Sequence, residues 1–206
     1  MFVIPSRARP HNIARLIRAW TDTGATAPAL LRLDDDDASP GGYLALDRPS
    51  NWALVVAERR PLSVIYNEVF GAFPDEDWYG VFADDIVPET PGWDARLIET
   101  ADRDGLAFGD DGINGADHAT HFVVGGALVR SIGWLALPGL DRLYIDTVWT
   151  DIARDRGVLR YLPDVKITHW HPSVKKALFD PTYRKHHKQA DHAVYRAWRD
   201  GKEHHA

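Results

Sequence analysis

A chain of 206 residues that is 45% hydrophobic and 26% charged can bury one substantial core, so a single globular domain is expected. No run reaches the roughly 18 apolar residues of a membrane span, the opening "MFVIPSRARPHN" lacks the order of a secretory signal, and cytoplasmic residence is the default. The absence of cysteine excludes disulfides and thiolate metal sites, and a net charge of −6 hides a basic end: from Lys166 onward nine Lys and Arg face four acids, leaving −11 on residues 1–165.

The predicted elements alternate. "FVIP" reads as a strand, and "HNIARLIRAWTDTG" as a helix with Ile13, Leu16, Ile17 and Trp20 on one face and Gly24 at its end. "APALLRL" is a second strand running into Asp34, Asp35, Asp36 and Asp37, and "NWALVV" a third. "PLSVIYNEVFGAF" is a helix with proline at its first position, and "DWYGVFA" a fourth strand ending at Asp84 and Asp85, after which Pro88 stops regular pairing. Such alternation indicates a largely parallel sheet covered on both faces. Further on, "GWDARLIETADRDG" is a helix, "LAF" a strand, "DDGINGADHATH" a loop, and "FVVGGALVRSIGW" a strand turning into a helix through two glycines. "LYIDTVWTDIARDRG" is a helix, "VLRYLPDVKITHWHP" holds one or two strands, and the remainder is helical with a break near Pro181.

Four clusters could carry chemistry: Asp34 to Asp37, Asp84 with Asp85, Asp146, and His169 with His171. Each has an ordinary reading as a solvated turn, a turn cap, an exposed helix position or exposed strand residues. Together they say more. Two parallel strands ending in aspartates at one sheet edge can converge on a hard cation, Mg²⁺ or Mn²⁺, and His169 and His171 share one face of an extended segment. A nucleotide diphosphate is a natural partner for a cation at such an edge.

The segments "FVIPSRARPHNIARLIRAW", "LLRLDDDD", "RRPLSVIYNEVFGAF", "YGVFADDIVPETPGWD", "FVVGGALVRSIGW" and "YIDTVWTDIARDRG" follow in the order seen in GT-A fold glycosyltransferases. Residues 2–172 resemble a short family 2 type member, with Ala83-Asp84-Asp85 in place of Asp-any-Asp and Asp146-Thr147 where many relatives carry Glu-Asp. The resemblance implies a Rossmann-like α/β catalytic domain over residues 1–172, followed by a basic, mainly helical extension over 173–206. It implies metal-dependent transfer of a sugar from a nucleotide-diphosphate donor, UDP-linked, to an acceptor hydroxyl with inversion.

Residue by residue, the resemblance puts Pro5, Ser6, Arg7 and Arg9 beside the nucleotide, Asp34 on the base or ribose, and Arg59, Arg60 and Asn67 near the base and donor sugar. It makes Asp85 the principal metal ligand, with Asp84 on ribose or sugar and His171 or else His169 completing the site. Gly125 and Gly126 fall on the acceptor side, where Trp134, Trp149 and Trp170 could stack on a sugar or otherwise sit in the core. Asp146 matches the general base, with Asp141 and Asp151 as substitutes; helical spacing lets only one of the three face the cleft. The competing readings are a nucleotidyltransferase, a metal-dependent hydrolase built on His169 and His171, and a non-catalytic carbohydrate or nucleic-acid binding module. The loop "PSRARPHN" lacks the glycines that usually hold a triphosphate, and the basic C-terminal segment makes nucleic acid a candidate acceptor.

Overall fold

The computed structural model describes residues 1–170 and 188–203. The chain opens with β1 (Phe2–Ser6), α1 (Pro10–Asp22), β2 (Ala29–Asp34), the short α2 (Pro40–Leu44), β3 (Trp52–Ala57) and α3 (Leu62–Ala72). It continues through β4 (Trp78–Val81), β5 (Ile86–Pro88), α4 (Trp93–Ala101), β6 (Leu106–Asp110), β7 (Phe122–Gly125) and α5 (Gly126–Ile132). It closes with α6 (Ile145–Asp155), β8 (Leu159–His169) and α7 (Lys188–Glu203).

The eight strands form one sheet in the order β3-β2-β1-β4-β7-β6-β8-β5. Six run the same way, and β7 and β5 run against them, so the expected largely parallel sheet is the one observed. Neighbouring residues of β1 serve opposite faces, as the two-residue strand repeat requires. Val3 joins a core under α3, α5, α6 and α7, while Phe2 and Ile4 join one under α1, α2 and α4. Burial on both sides is why β1 and β2 read as continuous apolar runs.

Helix α1 shows how the local sequence sets an element. Pro10 stands in its first turn, Ile13, Leu16, Ile17 and Trp20 make its buried stripe, and Gly24 at φ 68° ends it. Each buried Leu or Ile contributes about 1.5–3 kcal/mol. Trp20 meets Phe2 and Trp93 edge to face, at 5.2 and 4.9 Å between ring centroids. Two expectations shift. Pro61 is the residue before α3 rather than its first, and Pro88, which ends β5, is itself paired with Ile167. Proline is tolerated there because β5 is the outermost strand, where one side of the backbone needs no partner.

Candidate functional site

A cleft of about 700 Å³ opens at the edge where the six parallel strands end. The chain runs from β1 outward to β2 and β3, then returns to place β4 on the other side of β1. That reversal parts the loops after β1 and β4, which is where open α/β sheets bind ligands. Because β7 is antiparallel, its beginning rather than its end lies at this edge, and Thr120 and His121 enter the cleft wall with His169 from the end of β8.

Asp85 immediately precedes β5, and the β5–β8 ladder pairs Ile86 with His169, continued by a 2.7 Å bond from the Trp170 N–H to the Asp85 carbonyl. This register sets Asp85 Oδ1 3.4 Å from His169 Nε2. His121 completes the group: one donor atom each from Asp85, His121 and His169 lie within 4.8 Å of one another, and these residues could hold a metal ion. The His121 and His169 rings meet at 88°, 4.8 Å between centroids. Burial, reinforced by His169, holds the His121 imidazole down at about 3, so it stays neutral, as a ligand must be. Its buried Nδ1 has no hydrogen-bond partner among the described residues. One carboxylate and two imidazoles suit Mn²⁺ and the later first-row ions better than Mg²⁺.

Asp84, 5% exposed, faces the β1–α1 loop instead. Its oxygens accept from the Ser6 hydroxyl at 2.6 Å and from Arg9 Nη1 at 3.1 Å. The Tyr43 hydroxyl accepts the Arg9 backbone N–H at 2.8 Å and bonds Ser6 Oγ at 3.0 Å. Burial first, then the charge of Asp85, push the Asp84 carboxyl above its usual range, against the pull of Arg9 and Ser6. At the far end of the cleft Arg7 donates to Asp34 at 3.0 Å and pairs with Asp36, while Arg32 donates to Asp34 at 3.1 Å. Arg59 and Arg60 line the same end.

Asp146 lies in the first turn of α6 and faces the cleft. Its Oδ2 is 3.0 Å from His118 Nε2, and its Oδ1 accepts the Thr147 N–H at 2.8 Å. Burial would raise this carboxyl, but the hydrogen bond and charge of His118, with the Thr147 N–H, bring it below its ordinary value. Burial likewise would lower His118, and Asp146, with Asp111 beyond it, brings that imidazole above its ordinary value. Neither His118 nor His121 was expected from the sequence. The available signal was His118-Ala-Thr-His121 directly ahead of the apolar run of β7.

Pro5, Ser6, Arg7, Arg9, Asp34, Arg59, Arg60, Asp84, Asp85, Asp146 and His169 are thus brought to one cleft. Of the remaining candidates, Asn67, Trp134, Trp149, Gly125 and Gly126 are not. Asn67 braces a loop, donating to the Ala136 carbonyl at 2.8 Å and accepting the N–H groups of Leu135 and Ala136 at 2.8 and 2.9 Å. Trp149 is fully buried, with its indole N–H on the Leu135 carbonyl at 2.6 Å, and Trp134 packs edge-on against it. His171 lies outside the described residues. Asp141 does line the cleft beside Asp146, because it precedes α6 and escapes the helical spacing argument; Asp151 instead accepts from the Tyr195 hydroxyl at 2.8 Å, under α7. The basic face expected of the C-terminal segment is partly spent internally: Arg199 pairs with Asp155 at 2.9 Å and Arg196 with Asp200 at 3.4 Å.

Gly125 and Gly126 leave β7 at the opposite edge of the sheet, where Gly125 pairs with Trp78 at the start of β4. They make room for protein, not sugar: a Cβ on Gly125 would strike the Arg103 backbone, and one on Gly126 the Glu76 carbonyl. Gly126→Ala is therefore expected to lose roughly 1–3 kcal/mol in urea unfolding while ligand binding at the cleft is retained. Loss of binding with unchanged stability would return these glycines to the site.

No protein-family model and no curated protein matches the sequence. Solved structures do. A mannosyltransferase of Pyrobaculum calidifontis, in complex with GDP-Man and Mn²⁺, superposes with a TM-score of 0.64 at 13% identity over 82% of this chain. The chain spans 55% of that protein's length. Glucosyl-3-phosphoglycerate synthase of Mycobacterium tuberculosis, in complex with Mn²⁺, UDP and glucosyl-3-phosphoglycerate, gives 0.59 at 10% identity, covering 89% of this chain and 73% of its own. CMP:2-keto-3-deoxy-manno-octonic acid synthetase complexed with CTP gives 0.50 at 12% identity, covering 81% and 89%. The shared feature is the fold: the chain has the mixed α/β, GT-A type architecture of nucleotide-sugar transferases.

Proposed function

We propose that this chain is a metal-dependent glycosyltransferase that moves a hexosyl group from a nucleoside-diphosphate sugar, UDP-linked, to an acceptor hydroxyl with inversion at the anomeric carbon. The observation that carries this reading is the meeting of Asp85, His121 and His169 with the Asp146 carboxylate in one cleft at the β1/β4 reversal. In this reading Asp85, His121 and His169 hold Mn²⁺, with Mg²⁺ the poorer fit. The ion, when bound, supplies charge neutralisation for the diphosphate. Arg7, Arg59, Arg60 and Asp34 contact the base, ribose and donor sugar, and Asp84 with Ser6 and Arg9 keeps the β1–α1 loop in place beside them. Asp146 takes the proton from the acceptor hydroxyl as that oxygen bonds to the anomeric carbon and the bond to the diphosphate breaks.

The first test is thermal unfolding with Mn²⁺ across UDP, GDP, CDP, dTDP and their sugars. A metal-dependent shift with one diphosphate supports a donor site; no shift with any of them sinks the reading. Likeness to a CTP complex keeps the nucleotidyltransferase reading as the second one. A shift with a triphosphate alone, followed by pyrophosphate release, would favour it instead.

A further inference from the structure

The loop between β6 and β7 joins two parts of the cleft that the sequence leaves unconnected. Its second half is strapped to α6 at three points. His118 Nε2 reaches Asp146 Oδ2 at 3.0 Å, the Ala119 N–H donates to Thr150 Oγ1 at 3.1 Å, and Arg154 Nη2 donates to the Asp117 carbonyl at 2.9 Å. Asp146, Thr150 and Arg154 are spaced four apart, so they form one stripe of the helix, and the loop lies along it. Thr150 also donates to the Asp146 carbonyl at 2.8 Å, which ties the strap to the helix turn that carries the carboxylate. Three residues after His118, the same loop delivers His121 to Asp85 and His169. The loop's other end is anchored by Asp111, which accepts from the Ile113 and Asn114 N–H groups at 2.8 and 2.7 Å and from the Thr120 hydroxyl at 2.8 Å.

We propose that His118 is a positioning residue for Asp146, and that the 118–121 loop fixes the spacing between that carboxylate and the metal-binding residues. A carboxylate in the first turn of a helix, with a side chain 33% exposed, has more than one rotamer open to it; the imidazole selects one. The pairing also favours the ionised carboxylate that a base requires. The titratable and charged groups facing His118 are Asp146 and Arg154 from α6 and Asp111 from the start of the loop; those facing Asp146 are His118 and the neutral His121, with Tyr66 of α3 nearby. The consequence for turnover rests on the reading of Asp146 as the base, whereas the pairing does not.

The test uses the full chain with ¹⁵N-labelled histidine and no added metal, followed by NMR across pH. His118 is assigned by the signal lost in His118→Gln, or in His118→Asn should the first variant fold poorly. The wild-type signal is expected to titrate above an ordinary imidazole, and in Asp146→Asn to move to lower pH, since burial and Arg154 then act unopposed by that charge. An unchanged titration in Asp146→Asn overturns the proposal whatever the enzyme does. Turnover is read separately with the nucleotide sugar that gives the thermal shift, UDP-glucose first. His118→Gln is expected to lower kcat on the order of 10- to 100-fold with donor KM unchanged and to move the acid limb of the pH profile upward. A wild-type kcat and limb in His118→Gln would overturn the positioning role. Absence of turnover with every nucleotide sugar would count against the glycosyltransferase reading, and the NMR titration would then decide the pairing alone.

Discussion

Asp85→Ala is expected to abolish the Mn²⁺-dependent stabilisation by a nucleoside diphosphate while leaving the ligand-free protein as stable as wild type or more so. Asp85 is 5% exposed and lies 3.7 Å from Arg9 and 3.4 Å from His169. It is also the neighbouring charge that, after burial, does most to raise Asp84. A carboxyl whose folded-state pKa exceeds its unfolded value binds its proton more tightly when folded, so keeping it ionised opposes folding, increasingly as pH rises between those two values. Removing Asp85 lifts that repulsion, and Arg9 keeps Asp84 at 3.1 Å as a partner. What is lost is the anionic ligand of the proposed metal site. At a ligand concentration of 100 times Kd, binding stabilises by about 2.7 kcal/mol, a shift of roughly 5–10 °C for a chain of this size. The measurement is melting of wild type and variant with Mn²⁺, diphosphate, both and neither. A shift that survives in Asp85→Ala would place the cation elsewhere and remove the observation on which the functional reading stands.

Strand direction explains what the sequence revealed of this site and what it hid. Asp34, Asp84 and Asp85 follow strands whose helical connections make them parallel, so a local reading sends all three to one edge. That reading places β1 to β4 correctly, and the cleft with them. For β7 the same reading fails. Hydrophobic pattern says that Phe122 to Gly125 form a strand but not which way the strand runs, since direction is set by pairing with β4 and β6, distant in sequence. Taken as parallel, β7 sends Gly125 and Gly126 to the cleft; as built, it sends His121 there and the glycines to the other edge. The tryptophans were ambiguous for another reason, since an indole that stacks on sugar and one that fills a core occupy similar positions in sequence. Trp149 is settled by full burial and a satisfied N–H. His118 was invisible because its value comes from a helix that begins 27 residues later, at Ile145.

Asp191→Ala should be strongly destabilising although it lies outside the cleft, on α7, in a segment that reads from sequence as an appendage. Asp191 is 2% exposed and its carboxylate accepts three consecutive backbone N–H groups, those of Asp141 at 2.7 Å, Arg142 at 3.0 Å and Leu143 at 2.8 Å. These precede Tyr144, which enters α6 at φ 68°, a costly conformation for a side-chain-bearing residue, with its ring stacked on Tyr195 of α7 at 5.1 Å. From the other side, the Leu62 N–H at the start of α3 bonds the Asp141 carbonyl at 2.7 Å. The segment so held contributes Asp141 to Asp146 to the cleft wall. Truncating Asp191 leaves three donors without their charged acceptor, a loss of roughly 3 kcal/mol or more, or about 6–12 °C in Tm. The residues proposed to hold metal and nucleotide come from β1, β2, β3, β4, β8 and their following loops and from the loop before β7, so the added stabilisation by Mn²⁺ and diphosphate should persist on the lowered baseline. Asp191→Asn, which keeps an acceptor oxygen without the charge, should fall between the two. A wild-type Tm in Asp191→Ala would show that α7 merely rests on the domain. A lowered Tm with the ligand shift intact would show instead that the C-terminal helix holds the Asp146 side of the cleft against a donor side that stands without it.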